Sequence, residues 1–209
     1  MKIREPFNAI SHFAGAAAAL IGLCVLLFLG GDTNLQQAAL LIYGLSLVGM
    51  FTASGVYHSA IAKASTIEVF RKIDHSAIFL LIAGSYTPFC LLVFSGFWRW
   101  GMLAIVWSLA FIGIGVKLFI INTPRWVTAG VYLVMGWISV FAAREMILHL
   151  PLLSLIFLLA GGVFYTVGAV VYITKKGNPF PGVFGFHEIW HIFVLLGAAA
   201  HFAAITFII

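Results

Sequence analysis

The chain has 209 residues, of which 63% are hydrophobic and 8% charged, and its mean hydropathy is +1.14. A soluble domain carries about 25% charged residues, so the composition excludes a water-soluble globule and predicts one integral membrane domain with no soluble appendage. The net charge of +5 is spread over short loops, which argues against a nucleic-acid-binding surface and turns the cations into topology signals.

A span needs about 20 apolar residues to cross roughly 30 Å of hydrocarbon, and seven stretches qualify. The N-terminus opens like a signal peptide, with Lys2 and Arg4 before an apolar run. Small residues Ala14 to Ala19 open that run, whereas a cleavage site would follow it, so it reads as an uncleaved first span at about 9–29. The second span is at about 37–62, and the third runs from about Asp74 to residue 94. The fourth is at about 98–120, closed by Asn122-Thr123-Pro124, and the fifth at about 126–147, before Pro151. The sixth is at about 152–174. Lys175 to Gly182 is a loop on composition, and the seventh span is at about 186–208. The predicted fold class is therefore an all-α bundle of seven transmembrane helices in a single domain, 1–209. Cys24 and Cys90 lie inside apolar runs and read as packing residues, not as a disulfide or a metal pair. Gly44, Gly55, Gly84, Gly113, Gly115, Gly161 and Gly168 read as sites of close helix packing. Trp98, Trp100, Trp126 and Trp137 read partly as interfacial anchors.

Lysine and arginine set the orientation. With the N-terminus cytoplasmic, the inner side holds Lys2, Arg4, Lys63, Arg71, Lys72, Lys117, Arg125, Lys175 and Lys176. The outer side holds Arg99 and Arg144. This predicts an N-inside, C-outside protein, the reverse of G-protein-coupled receptors. The seventh span has no lysine for a retinal Schiff base.

Ionisable residues inside spans are costly and usually functional. His58 lies five residues before Lys63, Asp74 two after Lys72, and His187 and His191 open the seventh span. At about 1.5 Å rise per residue, all fall in one layer near the inner surface, with His12 at similar depth. Three neutral imidazoles and a water make a tetrahedral zinc site with an open position, and a carboxylate beside that water can orient it or take its proton. His58, His187 and His191 are the candidate ligands, Asp74 the candidate carboxylate, and Ser54, one turn from His58, a candidate hydroxyl. The plainer readings are intramembrane packing for each histidine, an N-terminal helix cap for Asp74, and a bond to its own helix for Ser54.

His187-Glu188-Ile189-Trp190-His191 also spells H-E-x-x-H, the metalloprotease helix. The metzincin continuation fails, because Val194 stands where glycine is needed and Gly197 where histidine is needed. No acid follows Glu188, and Glu188 lies about 100° round the helix from His187. It reads as an ordinary first-turn acid. His12 reads as a supporting residue near Glu5 and Asn8, His75 as pointing elsewhere, His149 as an outer-loop residue, and His201 as a helix–helix hydrogen-bonding residue about 20 Å further out than His187.

Ser54-Gly-Val-Tyr-His58, Asp74-His75 and His187-Glu-Ile-Trp-His191 together resemble the hemolysin III branch of the progestin and adiponectin receptor family. The segments Glu5 to His12 and Leu81 to Pro88 are similar to that family as well. The resemblance implies seven helices with a cytoplasmic N-terminus and a zinc held by three histidines near the cytoplasmic face, with an aspartate at the water on it. Those roles carry to His58, His187, His191 and Asp74, and the motif serine to Ser54. Alkaline ceramidases are related membrane enzymes, and adiponectin receptors are similar to them in site and in suggested amide hydrolysis. The expected function is a zinc-dependent hydrolase acting on a lipid amide or ester at the cytoplasmic side of a plasma or inner membrane, with membrane lipids as substrates. The alternative is a receptor-like or membrane-homeostasis protein with a structural or regulatory zinc. Pore formation is the weakest reading, because no span carries a polar stripe to line a channel.

Overall fold

The computed structural model describes residues 3–119 and 123–209. Among the described residues, seven helices are long and apolar enough to cross a membrane, as expected from the hydropathy. They are α1 (Pro6–Gly30), α2 (Asn34–Ser59), α3 (Ala64–Pro88), α4 (Gly96–Phe119), the pair α5 (Arg125–Trp137) and α6 (Ala143–His149), α7 (Leu152–Thr174) and α8 (Phe186–Thr206). The outward side chains of these helices, among them Ile21, Phe28, Phe111, Phe141 and Leu152, are exposed and apolar. Only a surface meeting hydrocarbon tolerates that. The protein is a multi-pass integral membrane protein.

α3 is the most buried span and packs between α2 and α4, with α5 also against it. α1 packs on α2 and on α8, and α8 lies along α7. The first and last spans therefore meet, and the bundle closes on itself. Small residues permit the closest approaches. A β-carbon on Gly44 would strike Leu23, and one on Gly84 would strike Ser46. Gly115 departs from the expectation, with nothing near enough to require a glycine. Cys24 and Cys90 are both free. Trp100 and Trp126 are exposed, whereas Trp98 is half-buried against the core.

Helix boundaries depart from hydropathy where polar residues are absorbed into helix. α3 begins at Ala64, not near Asp74, because its first turns are amphipathic and carry the Arg71–Glu68 pair at 2.9 Å. Its N-cap is Lys63, so Asp74 lies well inside the helix and is not its cap. The C-terminal end of this span widens into a π-helical turn, Phe89–Val93, directly after Pro88. Proline brings no N–H to the ladder, and the Phe94 N–H reaches back five residues to the Phe89 carbonyl, 3.1 Å. His149 is not in a loop but ends α6, paired with Glu145 at 3.2 Å.

The fifth span is broken by a 3₁₀ stretch, Ile138–Ala142. Its cause is a side chain inserted into the ladder. The Tyr86 hydroxyl of α3 donates to the Gly136 carbonyl at 2.6 Å and accepts from the Ser139 N–H at 2.8 Å. It thus satisfies backbone groups that the break would leave bare in hydrocarbon. Tyr86→Phe is expected to lower stability by about 1–3 kcal/mol, the usual cost of unpaired buried groups. Unfolding in detergent would report this, and an unchanged midpoint would show that the hydroxyl does not sustain the break.

Candidate metal centre

The site is built at the end of the bundle where α2 finishes and α8 begins. His58 lies in the last turn of α2, and its backbone carbonyl is among those a helix end leaves without partners. The segment before α1 fills these positions. Glu5 N–H donates to the His58 carbonyl at 3.0 Å, and the Arg4 guanidinium donates to the Tyr57 carbonyl at 2.7 Å. Arg4 also lies 4.4 Å over the Tyr57 ring. This docking sets the Glu5 Oε2 2.7 Å from His58 Nδ1. A carboxylate on one ring nitrogen fixes the tautomer and orientation of an imidazole and leaves the other nitrogen free to ligate. Burial works to raise the Glu5 carboxyl, but its hydrogen bonds with His58 and Asn8 hold it below the usual carboxylate range.

His187 and His191 project from the first turns of α8 onto His58. The ring centroids are 5.2 Å apart for His58 and His187, 4.6 Å for His58 and His191, and 5.0 Å for His187 and His191. One ring nitrogen from each lies within 4.8 Å of the other two. His58 and His191 are buried, His187 half-buried. His191 Nδ1 is buried with no hydrogen-bond partner, and a buried polar atom of that kind calls for an explanation. Convergent imidazoles, one braced by a carboxylate and one with an orphaned nitrogen, fit a divalent metal ion.

Asp74 is 7% exposed and Ser54 3%. Both residues line a cavity of about 650 Å³ that also takes in the three histidines. From that polar end the cavity runs between helices past Ile78, Ile82 and Leu133 to Met146. Of the five residues singled out from sequence spacing, His58, His187 and His191 converge on one another, and Ser54 and Asp74 line the cavity that those histidines also line. His12 adds a ring 4.0 Å from that of His191, yet it stands outside the ligating group. His75 lines the same cavity, where the sequence reading had turned it away. His201 lies deeper, against Gly161 and edge-on to Tyr165 on α7.

Glu188 is occupied elsewhere. Its Oε2 accepts from the Gly185 N–H at 2.8 Å, capping α8, and its Oε1 accepts from Asn8 Nδ2 at 3.2 Å. The same Asn8 nitrogen donates to Glu5 Oε2 at 3.0 Å. Asn8 is wholly buried and ties the two acids, and with them α1 and α8, together. Sequence reasoning gave Glu5 and Asn8 no defined role. Their signal was an acid and an amide three residues apart just ahead of His12, at the depth of the histidine layer. Asn8→Leu keeps the volume but leaves two carboxylates facing each other without their donor. It is expected to destabilise the protein by about 1–3 kcal/mol, read from thermal unfolding of the purified protein. An unchanged midpoint would show that the bridge is dispensable.

Comparison with known proteins shows the family of the chain. The family described as haemolysin-III related matches residues 1–202. Hemolysin-3 of Bacillus cereus is 37% identical, covering 97% of this chain and 90% of that protein. Monocyte to macrophage differentiation factor of Homo sapiens is 30% identical, covering 95% and 81%. The adiponectin receptor protein of Drosophila melanogaster is 26% identical, covering 97% of this chain and 50% of that protein. With its family match spanning nearly the whole sequence, the chain belongs to the hemolysin III branch of the progestin and adiponectin receptor family.

Proposed function

We propose that this protein is a zinc-dependent hydrolase of a lipid amide or ester, ceramide being the representative substrate, acting at the cytoplasmic side of the membrane with its N-terminus inside. The observation that carries this reading is a three-histidine cluster and a buried carboxylate opening into one ligand-sized, mostly apolar cavity. His58, His187 and His191 would hold the metal, and three protein ligands leave a fourth position for chemistry. Zinc at such a site lowers the pKa of water towards neutral and polarises a carbonyl.

The chain's own residues supply the rest. Asp74 faces the cavity beside the triad, orients the attacking water and takes its proton. Ser54, which lines the same cavity, offers a hydroxyl to the oxyanion that forms at the carbonyl. Glu5 acts as a positioning residue that holds the His58 ring. The apolar walls take the hydrocarbon of the substrate and keep bulk water out. Burial of the site among lipid-facing helices suits a substrate that enters sideways from the bilayer.

The resemblance to an adiponectin receptor favours a second reading, a receptor-like or membrane-homeostasis protein in which zinc is structural or regulatory. A structural zinc is normally closed by four protein ligands, so the three-histidine group beside a cavity favours hydrolysis.

The decisive experiment combines metal analysis with a lipid panel. His58→Ala, His187→Ala and His191→Ala should each lose zinc, and full occupancy in any one strikes that residue from the ligand set. Glu5→Ala should weaken zinc affinity by about 10–100-fold. Asp74→Asn should keep zinc and lower kcat by about 10²–10⁴-fold. If Glu188→Gln abolishes turnover and Asp74→Asn does not, the base is assigned wrongly. A folded, zinc-loaded protein that turns over no lipid amide or ester would leave the second reading.

A further inference from the structure

A second pocket of about 240 Å³ lies at the same end of the bundle. Four cations line it, Arg71, Lys72, Lys117 and Arg125, against one acid, Glu68. Arg71 engages that acid at 2.9 Å, and the Lys72 ammonium donates to the Leu118 carbonyl at 2.6 Å. Lys117 and Arg125 remain. Lys117 is only 8% exposed, and its ammonium rests on the hydroxyls of Thr123 and Thr128, each at 2.7 Å. Arg125 Nη1 is buried with no hydrogen-bond partner, while its guanidinium is held near the Tyr172 and Phe186 rings, 5.3 and 5.6 Å from their centroids. Among the described residues neither cation has a carboxylate within ion-pair distance.

Cations that only set topology need no more than contact with water or headgroups. Lys117 is instead folded inwards, where an uncompensated charge is expensive. An anion bound between these groups would remove that cost. Arg71, His75, Arg125, Thr128 and Tyr172 line both this pocket and the large cavity, so the two spaces share a wall. A basic pocket that shares a wall with an apolar cavity matches a molecule with an anionic head and a hydrocarbon tail. Thr123 and Thr128 share one hydroxyl hydrogen between them at 3.1 Å, which leaves one hydroxyl donor beside the guanidinium and ammonium, a set that suits a tetrahedral oxyanion.

We propose that this pocket binds the phosphate of an anionic lipid whose hydrocarbon chain occupies the neighbouring cavity. The binding claim stands on the pocket itself. That such a lipid would present its scissile bond to the histidine cluster rests on the hydrolase reading above.

The test uses purified full-length protein in a neutral detergent and two ether lipids that cannot be hydrolysed, 1-O-octadecylglycerol 3-phosphate and 1-O-octadecylglycerol. Inorganic phosphate is the third ligand. Wild type should bind the phosphate ester at least about tenfold more tightly than the neutral lipid. Lys117→Met and Arg125→Gln should each bring that preference to within about twofold, and Lys117→Met, at a position that does not line the large cavity, should leave neutral-lipid affinity unchanged, which also certifies its fold. Without ligand, Lys117→Met should melt at or above the wild-type temperature, because a desolvated charge is gone. Equal binding of the two lipids by wild type, or a preference retained in both variants, overturns the proposal. Inorganic phosphate binding as tightly as the lipid phosphate overturns the lipid assignment in favour of a free anion. Because nothing is turned over, failure of the hydrolase reading leaves this result standing, and loss of the preference leaves zinc-dependent hydrolysis of neutral lipids standing.

Discussion

The contact between Glu5 and His58, 2.7 Å long, is the constraint on which the site depends. An imidazole at a helix end has two usable nitrogens and a freely turning ring. The carboxylate commits one nitrogen and aims the other at His187 and His191. Glu5 can do this only because its own N–H is bonded to the His58 carbonyl, so backbone and side chain hold the same partner. The chain ahead of α1 is therefore part of the centre and not a lead-in to it.

From that contact the polar groups radiate in a single layer. Asn8 carries it to Glu188, and Glu188 carries it to the start of α8. Each member has a named partner or faces a cavity, which is how a lipid-surrounded bundle can hold so many polar side chains at one end. The remaining length is apolar packing with few polar exceptions, such as the Tyr86 bridge and the Ser154 bond to the Ala204 carbonyl. Chemistry and packing are thus separated along the membrane normal.

Much of this was legible in the sequence because it follows from one-dimensional rules. Hydropathy found the seven spans, and counting residues from cationic loops brought His58, Asp74, His187 and His191 to one depth. The errors came where the rules are blind. Hydropathy stops at charge, so it missed the first turns of α3, where Arg71 and Glu68 satisfy each other, and it made Asp74 look like a cap. Depth says nothing of azimuth, so His75 was turned from a cavity that it lines. Bracing contacts such as Glu5 on His58 join residues 53 apart, and no local pattern announces them. Nor does any local signal predict that Tyr86 enters the ladder of another span.

The Asn8–Glu188 hydrogen bond spans 180 residues, so it links α1, made early, to α8, made late. Its two carboxylate partners sit on opposite sides of that seam. A chain inserting into the membrane span by span can form the α1–α2 half of the centre early, with Glu5 already on His58. The histidines of α8 and the Asn8 clasp arrive only when the final helix docks and the ring of helices seals. The order of synthesis therefore separates a pre-formed half-site from its completion. An intermediate in which α8 has not yet docked lacks His187 and His191 beside His58, so the three-histidine cluster does not exist in it.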